Sequence, residues 1–267
     1  MDLAVCHVPT TRAPKAQPMM PAPLSSLGHR PWPLPSSAWT VRQDWIDLAF
    51  LHWKLTPALV EPLLPDGLVL DTFHDEAWIG IVPFRMDRVR LAYTPAMPLV
   101  SSFPELNVRT YVRYRDKAGV LFLSLDAASA FTCWAGRRFF HLPYHRAKMQ
   151  HHRLGDGWHY RSARLLDQRY NFEAEVYPTG PEYYAETGSI EHFLTERYCF
   201  FAEASGGQLL CGEVHHPPWP LHTARAKLTH NGMLAPFSSE LSEDPDLVHS
   251  SPGVRVVGWS AKAVPVP

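Results

Sequence analysis

The chain has 267 residues, 46% of them apolar and 12% aromatic, enough for a sizeable core and far from the composition of disordered chains. Its formal net charge of -1 and pI near 6.9 leave no basic footprint for nucleic acid or for an anionic membrane surface. No stretch approaches the roughly eighteen apolar residues of a membrane span, so no membrane association is expected.

The four cysteines (Cys6, Cys133, Cys199 and Cys211) show neither a CxxC pair nor a disulfide-framework spacing, and no secretory signal precedes them. A reducing, cytoplasmic location is therefore expected. The 25 cationic residues are lopsided: the lysines are Lys15, Lys54, Lys117, Lys148, Lys227 and Lys262, and all the others are arginine. Candidates for a catalytic amine are thus few.

Residues 1–38 hold eight of the 26 prolines and no apolar periodicity. Such a segment buries too little surface to offset its ordering entropy, so it is expected to be a Pro-rich flexible extension. The texture changes at Trp39, and residues 39–267 are expected to form a single domain.

From there the sequence reads as many short strands. Residues 43–55, 67–73, 77–84, 86–93, 107–115, 119–127, 158–166, 172–178, 197–204, 208–216 and 254–259 are rich in Val, Ile, Phe, Tyr or Trp, with Gly, Pro or Asp between most of them. Helical spacing occurs in three places. Pro57 to Leu64 is a short turn, and Ala127 to Phe140 aligns Ala130, Phe131, Trp134 and Arg138. Gly188 to Arg197 has Ser189 as N-cap and Ile190, Phe193 and Leu194 on one face. The pattern predicts an α+β fold, mostly antiparallel β, with a curled sheet or partly closed barrel flanked by a few helices.

The segment 104–115 alternates cleanly. Leu106, Val108, Thr110, Val112 and Tyr114 form one face, and Glu105, Asn107, Arg109, Tyr111, Arg113 and Arg115 form the other. A half-solvated strand accounts for this pattern. A sharper reading places Glu105 against an enclosed pocket, with Arg109 holding its carboxylate ionised, because an unpartnered buried charge is prohibitive. Downstream, Gly136-Arg137 close a helical stretch and Pro143-Tyr144-His145 follow.

That block resembles the acetoacetate decarboxylase superfamily. Members of it carry a strand glutamate, a hairpin, a helix ending in Gly-Arg-Glu, and then Gly-x-Pro-Lys-Lys, whose first lysine forms a Schiff base with a keto acid while its neighbour lowers its pKa. The activation of such a lysine by an adjacent cation is the known behaviour of that enzyme. Here Glu105, Gly136, Arg137 and Pro143 match, while Arg138 replaces the glutamate and His141 replaces the glycine before the elbow. Tyr144 and His145 stand in the two lysine positions. Residues 43–55, 63–84, 107–112, 124–127, 142–144, 196–201 and 214–221 are similar in wording to the YqjF-like proteins, a domain of unknown function, over about residues 40 to 235.

Imine chemistry needs an uncharged primary amine, which neither tyrosine nor histidine supplies. Lys148, on an expected helix after the elbow, and Lys54 are the remaining candidates in the folded region. The resemblance then implies a pocket for a small oxo- or carboxylic acid, in which Glu105, His145 and Tyr144 carry acid/base chemistry. Arg109, Arg137 and His141 would bind substrate. Each has a plainer role open to it: Arg137 as a helix C-terminal charge, Tyr144 as a core aromatic, His145 as a surface residue. A noncatalytic small-molecule-binding protein and a decarboxylase with a repositioned lysine are the alternatives.

Fifteen histidines include the pairs His151-His152 and His215-His216, but adjacent strand residues point to opposite faces, and no HExxH-like spacing occurs. No metal and no cofactor are expected. A small-molecule ligand is the expected partner, and assembly into a homo-oligomer stays open.

Overall fold

The computed structural model describes residues 20–96 and 101–265. In chain order its elements are β1 (Val41–Leu55), α1 (Pro57–Val60), β2 (Val69–Leu70), β3 (Ala77–Leu91), β4 (Phe103–Tyr114) and β5 (Lys117–Ala127). Then follow α2 (Ala130–Phe139), β6 (Tyr144–Leu154), β7 (Gly157–Arg164), β8 (Asn171–Pro178), α3 (Ile190–Thr195), β9 (Cys199–Glu203), β10 (Leu209–His215), β11 (His222–Asn231), β12 (Leu247–Gly258) and β13 (Lys262–Ala263). The fold is α+β and mostly antiparallel, as the pattern predicts.

The strands form one curled sheet in which β4 also pairs with β5. This closes β5-β6-β7-β8-β11-β12-β1-β3-β4 into a ring of nine strands. A second circuit, β5-β9-β10-β12-β1-β3-β4, closes because β10 pairs with β12 and β9 pairs parallel to β5. The strands β12-β1-β3-β4-β5 belong to both circuits and act as a shared wall. A wall covered on both faces has no solvated side. Hence β1 and β3 read as near-continuous apolar runs where a half-exposed sheet would alternate.

The wall sorts its side chains by parity. Ala49, Leu51, Trp53, Ile79, Ile81, Leu106 and Val108 pack with Tyr160, Phe172, Ala174 and Val176 of β7 and β8. Leu48, Phe50, Val82 and Phe84 face the other way, onto Leu125, Ala127, Tyr144, Trp219, Leu221, Val254 and Val256. Next to this second cluster, α3 presses Ile190, Phe193 and Leu194 onto Trp78, Tyr111 and Val120. Its start follows the expected cap, with His192 N–H donating to the Ser189 hydroxyl at 3.2 Å.

Three local expectations change. Residues 77–84 and 86–93 join in one strand, β3. Residues after Pro143, expected as a helix, form β6, held parallel to β5 through the pairs Leu125–Tyr144, Asp126–His145 and Ala127–Arg146. Residues 222–231, not read as a strand, form β11, where part-buried Ala224, Ala226 and Leu228 alternate with exposed residues. Alanines and charges depress the intrinsic strand signal, and pairing with β8 and β12 overrides it.

Residues 20–38 carry no strand or helix, yet they include buried Arg30. The Arg30 guanidinium pairs with Glu213 and donates to the Val214 carbonyl, and Trp32 Nε1 donates to Glu213 at 2.9 Å. His29 Nε2 meets the His216 carbonyl at 2.8 Å. The expected extension therefore includes residues packed on β10, while its first 19 residues, with Cys6 and Lys15, lie outside the described residues. Among the described residues no helix is long and apolar enough to cross a membrane.

Candidate functional site

Strand β4 delivers the alternation read from the sequence, but neither face is solvated along 105–111. Glu105, Asn107 and Tyr111 are buried on the side away from Leu106 and Val108, and Arg109 is half-buried there. Glu105 is 2% exposed and meets Tyr144, whose hydroxyl donates to Oε2 at 3.0 Å. Burial pushes the Glu105 carboxyl up to about 8, with the Tyr144 hydrogen bond pulling slightly the other way. At neutral pH Glu105 therefore carries a proton. Burial and the neighbouring Glu105 hold the Tyr144 phenol well above its ordinary value, so it too stays protonated.

The helix and elbow before β6 set Tyr144 in place. Thr132 N–H caps on the Ser129 hydroxyl at 3.1 Å, and α2 runs to Gly136-Arg137. A Cβ on Gly136 would overlap the Tyr144 ring, so glycine is required there for close approach. The chain then turns at His141, whose φ of 53° lies in the left-handed region. That is the conformation glycine adopts freely, and His141 stands where the decarboxylase superfamily resembled by the sequence carries glycine. Leu142 N–H returns to the Gly136 carbonyl at 3.2 Å, and Arg137 Nη1 donates to the Tyr144 carbonyl at 3.1 Å.

The other expected site residues do not all converge. Arg109 does not pair with Glu105; Nε donates to the Tyr111 hydroxyl at 3.3 Å and Nη2 to the Leu194 carbonyl at 2.9 Å. Among the described residues no cation pairs with Glu105, so nothing offsets the burial that raises its pKa. Arg137 is exposed, engaged with backbone and not turned into the interior. His145 follows Tyr144 on a strand, so it faces the opposite way and is exposed. It lies near Asp126, fully buried, which accepts from Ser162 at 2.7 Å and from Arg164 Nε at 2.7 Å. Partial burial, then Arg164, hold the His145 imidazole below its ordinary value.

The expected enclosed pocket is small at this point. A void of about 10 Å³, scarcely room for one water, borders β4 at Glu105 from the Leu106 side, among Met149, His151 and Tyr160, and not from the side where Glu105 meets Tyr144. A cleft of about 450 Å³ opens elsewhere, lined by Tyr114, Lys117, Cys211, Glu213, Trp259 and Val264. Lys54 and Lys148 are both exposed, and Lys54 lies 3.5 Å from Glu76.

Two residues at this site, His52 and Gly80, had been given no role from the sequence. His52 is fully buried on β1, with Nε2 2.7 Å from the Tyr111 hydroxyl, which itself donates to the Leu194 carbonyl at 2.9 Å. Gly80 on the facing strand leaves room for the His52 ring. Burial, then Arg109 and His249, hold the His52 imidazole well below its ordinary value, so it is neutral. The available signal was a histidine inside the apolar run LAFLHWKL, on the same parity as Phe50.

Comparison with known proteins decides the family. The model of DUF2071, described as an uncharacterized conserved protein, matches residues 42–255. This chain belongs to that family. It is 36% identical over 226 residues to the uncharacterized protein YqjF of Bacillus subtilis (strain 168), covering 85% of this chain and 93% of that protein. Among solved structures, an acetoacetate decarboxylase of Legionella pneumophila is similar, with a TM-score of 0.59 at 15% identity, covering 89% of this chain and 94% of that one. The enduracididine biosynthesis enzyme MppR complexed with pyruvate gives a TM-score of 0.58 at 12% identity, covering 85% and 91%. At these identities the structural likeness shows the fold: acetoacetate decarboxylase-like.

Proposed function

We propose that this protein holds a small oxo- or carboxylic acid along the inner face of β4 and moves a proton at it through Glu105, without an imine. The observation that carries this reading is the Tyr144–Glu105 contact, 3.0 Å long in a dry interior, at the place where the resembled superfamily carries a lysine beside a glutamate. A carboxyl titrating near 8 is a proton donor at neutral pH, and tyrosine orients it. Arg109 supplies the cation for the acid's carboxylate. Glu105 and Arg109 share one face of β4 four residues apart, about 13 Å along the strand, so a ligand that meets both must reach across that strip. In this arrangement Tyr144 is a positioning residue for Glu105, and Arg137 acts on the site only through the Tyr144 backbone.

The pyruvate complex of MppR supports a ligand of this class only by likeness of fold. A second reading is a noncatalytic small-molecule-binding protein, in which Arg109, without a carboxylate in ion-pair distance among the described residues, holds an acid that is not turned over.

The test is a thermal-shift and turnover screen against short oxo and carboxylic acids, with Glu105→Gln, Tyr144→Phe and Arg109→Ala beside the wild type. Saturable stabilisation that Arg109→Ala abolishes, with product formation that Glu105→Gln abolishes, is the expected result. Stabilisation without product supports the second reading. Wild-type binding retained by all three variants sinks both.

A further inference from the structure

We propose that the outer face of α2 is the two-fold interface of a homodimer, with Trp134 of each copy at the axis and Arg138 of each over the partner's Phe131.

Helix α2 packs on β5 and β6, and its buried positions are Cys133 and Gly136. The outer side carries Phe131, Trp134 and Arg138 at i, i+3 and i+7, one stripe of a helix, and Phe139 closes the last turn. Phe131, Trp134 and Phe139 are 60%, 52% and 57% exposed. They form one patch, with ring centroids 5.8 Å apart from Phe131 to Trp134 and 5.5 Å apart from Trp134 to Phe139. Single exposed aromatics are ordinary, whereas three in contact mark a surface that another molecule covers.

The residues around the rings fit a protein partner. Arg137 and Arg138 are exposed beside them, and α2 holds no Lys, Asp or Glu. Protein interfaces are enriched in aromatic residues and arginine and depleted in lysine and acids, whereas a face for anionic lipid uses lysine as readily as arginine.

Area and charge select a second copy of this chain. With about 150–250 Å² per aromatic side chain, the three rings expose about 300 Å². A two-fold pair doubles that to about 600 Å², half of the roughly 1,200 Å² a specific interface needs. The arginine stems and the turn at Leu165-Leu166 supply the remainder. Leu165 N–H bonds to the Arg146 carbonyl, two residues along β6 from Tyr144, whose carbonyl receives Arg137, and Leu166 is fully exposed.

In an antiparallel crossing centred between Trp134 and Ala135, position 131 of one copy lies beside position 138 of the other. Arg138 makes no ion pair among the described residues and lies over its own Phe139 ring. The partner's Phe131 offers that guanidinium a second ring face. The same crossing keeps the two Arg138 side chains about 10 Å apart along the helix, where salt screens their repulsion. A parallel pairing would set them side by side. The interface and the Glu105 site lie on opposite sides of α2, so the dimer does not depend on the chemistry proposed above.

Sedimentation velocity of the full-length chain across a dilution series should show a monomer–dimer equilibrium. Trp134→Arg should keep the circular dichroism spectrum and raise the dimer dissociation constant about thirtyfold or more. Phe131→Ser, a milder change, should act in the same direction and serves if Trp134→Arg does not fold. On mild oxidation Trp134→Cys should give more covalent dimer than wild type. Phe131→Cys should not, because the antiparallel crossing separates the two copies of that position. A chain that stays monomeric at every concentration overturns the proposal, as does a dimer that neither substitution weakens. Equal cross-linking at 131 and 134 overturns the antiparallel crossing. A monomer that sediments with phosphatidylglycerol vesicles, and is released from them by Trp134→Arg, would assign this face to lipid and overturn the dimer.

Discussion

The Tyr144 hydroxyl lies 3.0 Å from Glu105 Oε2, and both side chains are buried on the inner side of the wall. β4 and β6 are not direct neighbours in the sheet; β5 lies between them, paired antiparallel to one and parallel to the other. The contact therefore depends on the turn after α2, which brings Tyr144 inward across β5. It gives the chain a phenol–carboxylic acid pair in which both groups are neutral at pH 7.

Glu105 makes the fold sensitive to alkali. Its folded pKa of about 8 lies above the ordinary 4.5, so the native state binds this proton more tightly than the unfolded chain does. The stability this protonation confers is fully present below about 4.5 and is lost as pH rises through 8. Glu105→Gln mimics the protonated form and removes the titration. Its urea-unfolding stability relative to wild type should increase with pH across that window, by up to about 1.4 kcal/mol per unit. Asp47, which burial pushes up to about 6, titrates in both proteins and cancels in the difference. Parallel pH profiles would contradict the assignment.

The contact between Gly136 and the Tyr144 ring yields a second expectation. Gly136→Ala raises helix propensity by about 1 kcal/mol, yet the new methyl overlaps the Tyr144 ring. Overpacking of this kind typically costs about 1–3 kcal/mol, so the variant should be less stable than wild type despite the better helix former. Gly136→Ala combined with Tyr144→Ala should recover part of that loss, measured as a positive coupling in a double-mutant cycle. Additive losses would show that Gly136 serves some other contact.

How much of this was legible depends on which physical signal each residue carried. The period-two alternation of 104–115 placed Glu105, Arg109 and Tyr111 on one face, and the Gly136-Arg137 and Pro143-Tyr144 block located the helix and elbow. The direction of Arg109 was not legible, since its partners are a phenol two residues away and a carbonyl on α3, 85 positions along the chain. β6 was missed because its sequence is polar at most positions, and the strand pairing that fixes it is parallel and nonlocal. His145 was misplaced for the same reason: on a helix it lies near Tyr144, whereas on a strand it faces away. His52 lay inside the 43–55 run with no chemical role read for it. Only its hydrogen bond to Tyr111 identifies it.

Arg30 provides a test of the segment before β1. Its guanidinium is buried between the Val214 carbonyl and Glu213, whose carboxylate also receives Trp32 and Lys117. Arg30→Ala leaves those acceptors short of a donor in a partly buried site, a loss of about 1–3 kcal/mol. Limited proteolysis should then cut within residues 20–38 faster than in the wild type. Equal cleavage rates would mean that the docking of this segment does not depend on Arg30.

The last expectation concerns the missing amine. An imine requires an uncharged primary amine in the compartment, and burial is what lowers a lysine enough to supply one at neutral pH. Lys54, Lys148, Lys227 and Lys262 are exposed, and Lys117 is held 2.8 Å from Glu213. None of these meets Glu105. Borohydride reduction in the presence of acetoacetate should therefore leave no lysine adduct on the wild-type protein, read by peptide mass spectrometry. Tyr144→Lys places an amine beside a carboxyl in a dry interior, which restores the requirement, and it should trap the adduct at residue 144. A wild-type adduct on Lys54 or Lys148 would instead show that a surface lysine reaches the substrate, and the acid/base reading of Glu105 would fall with it.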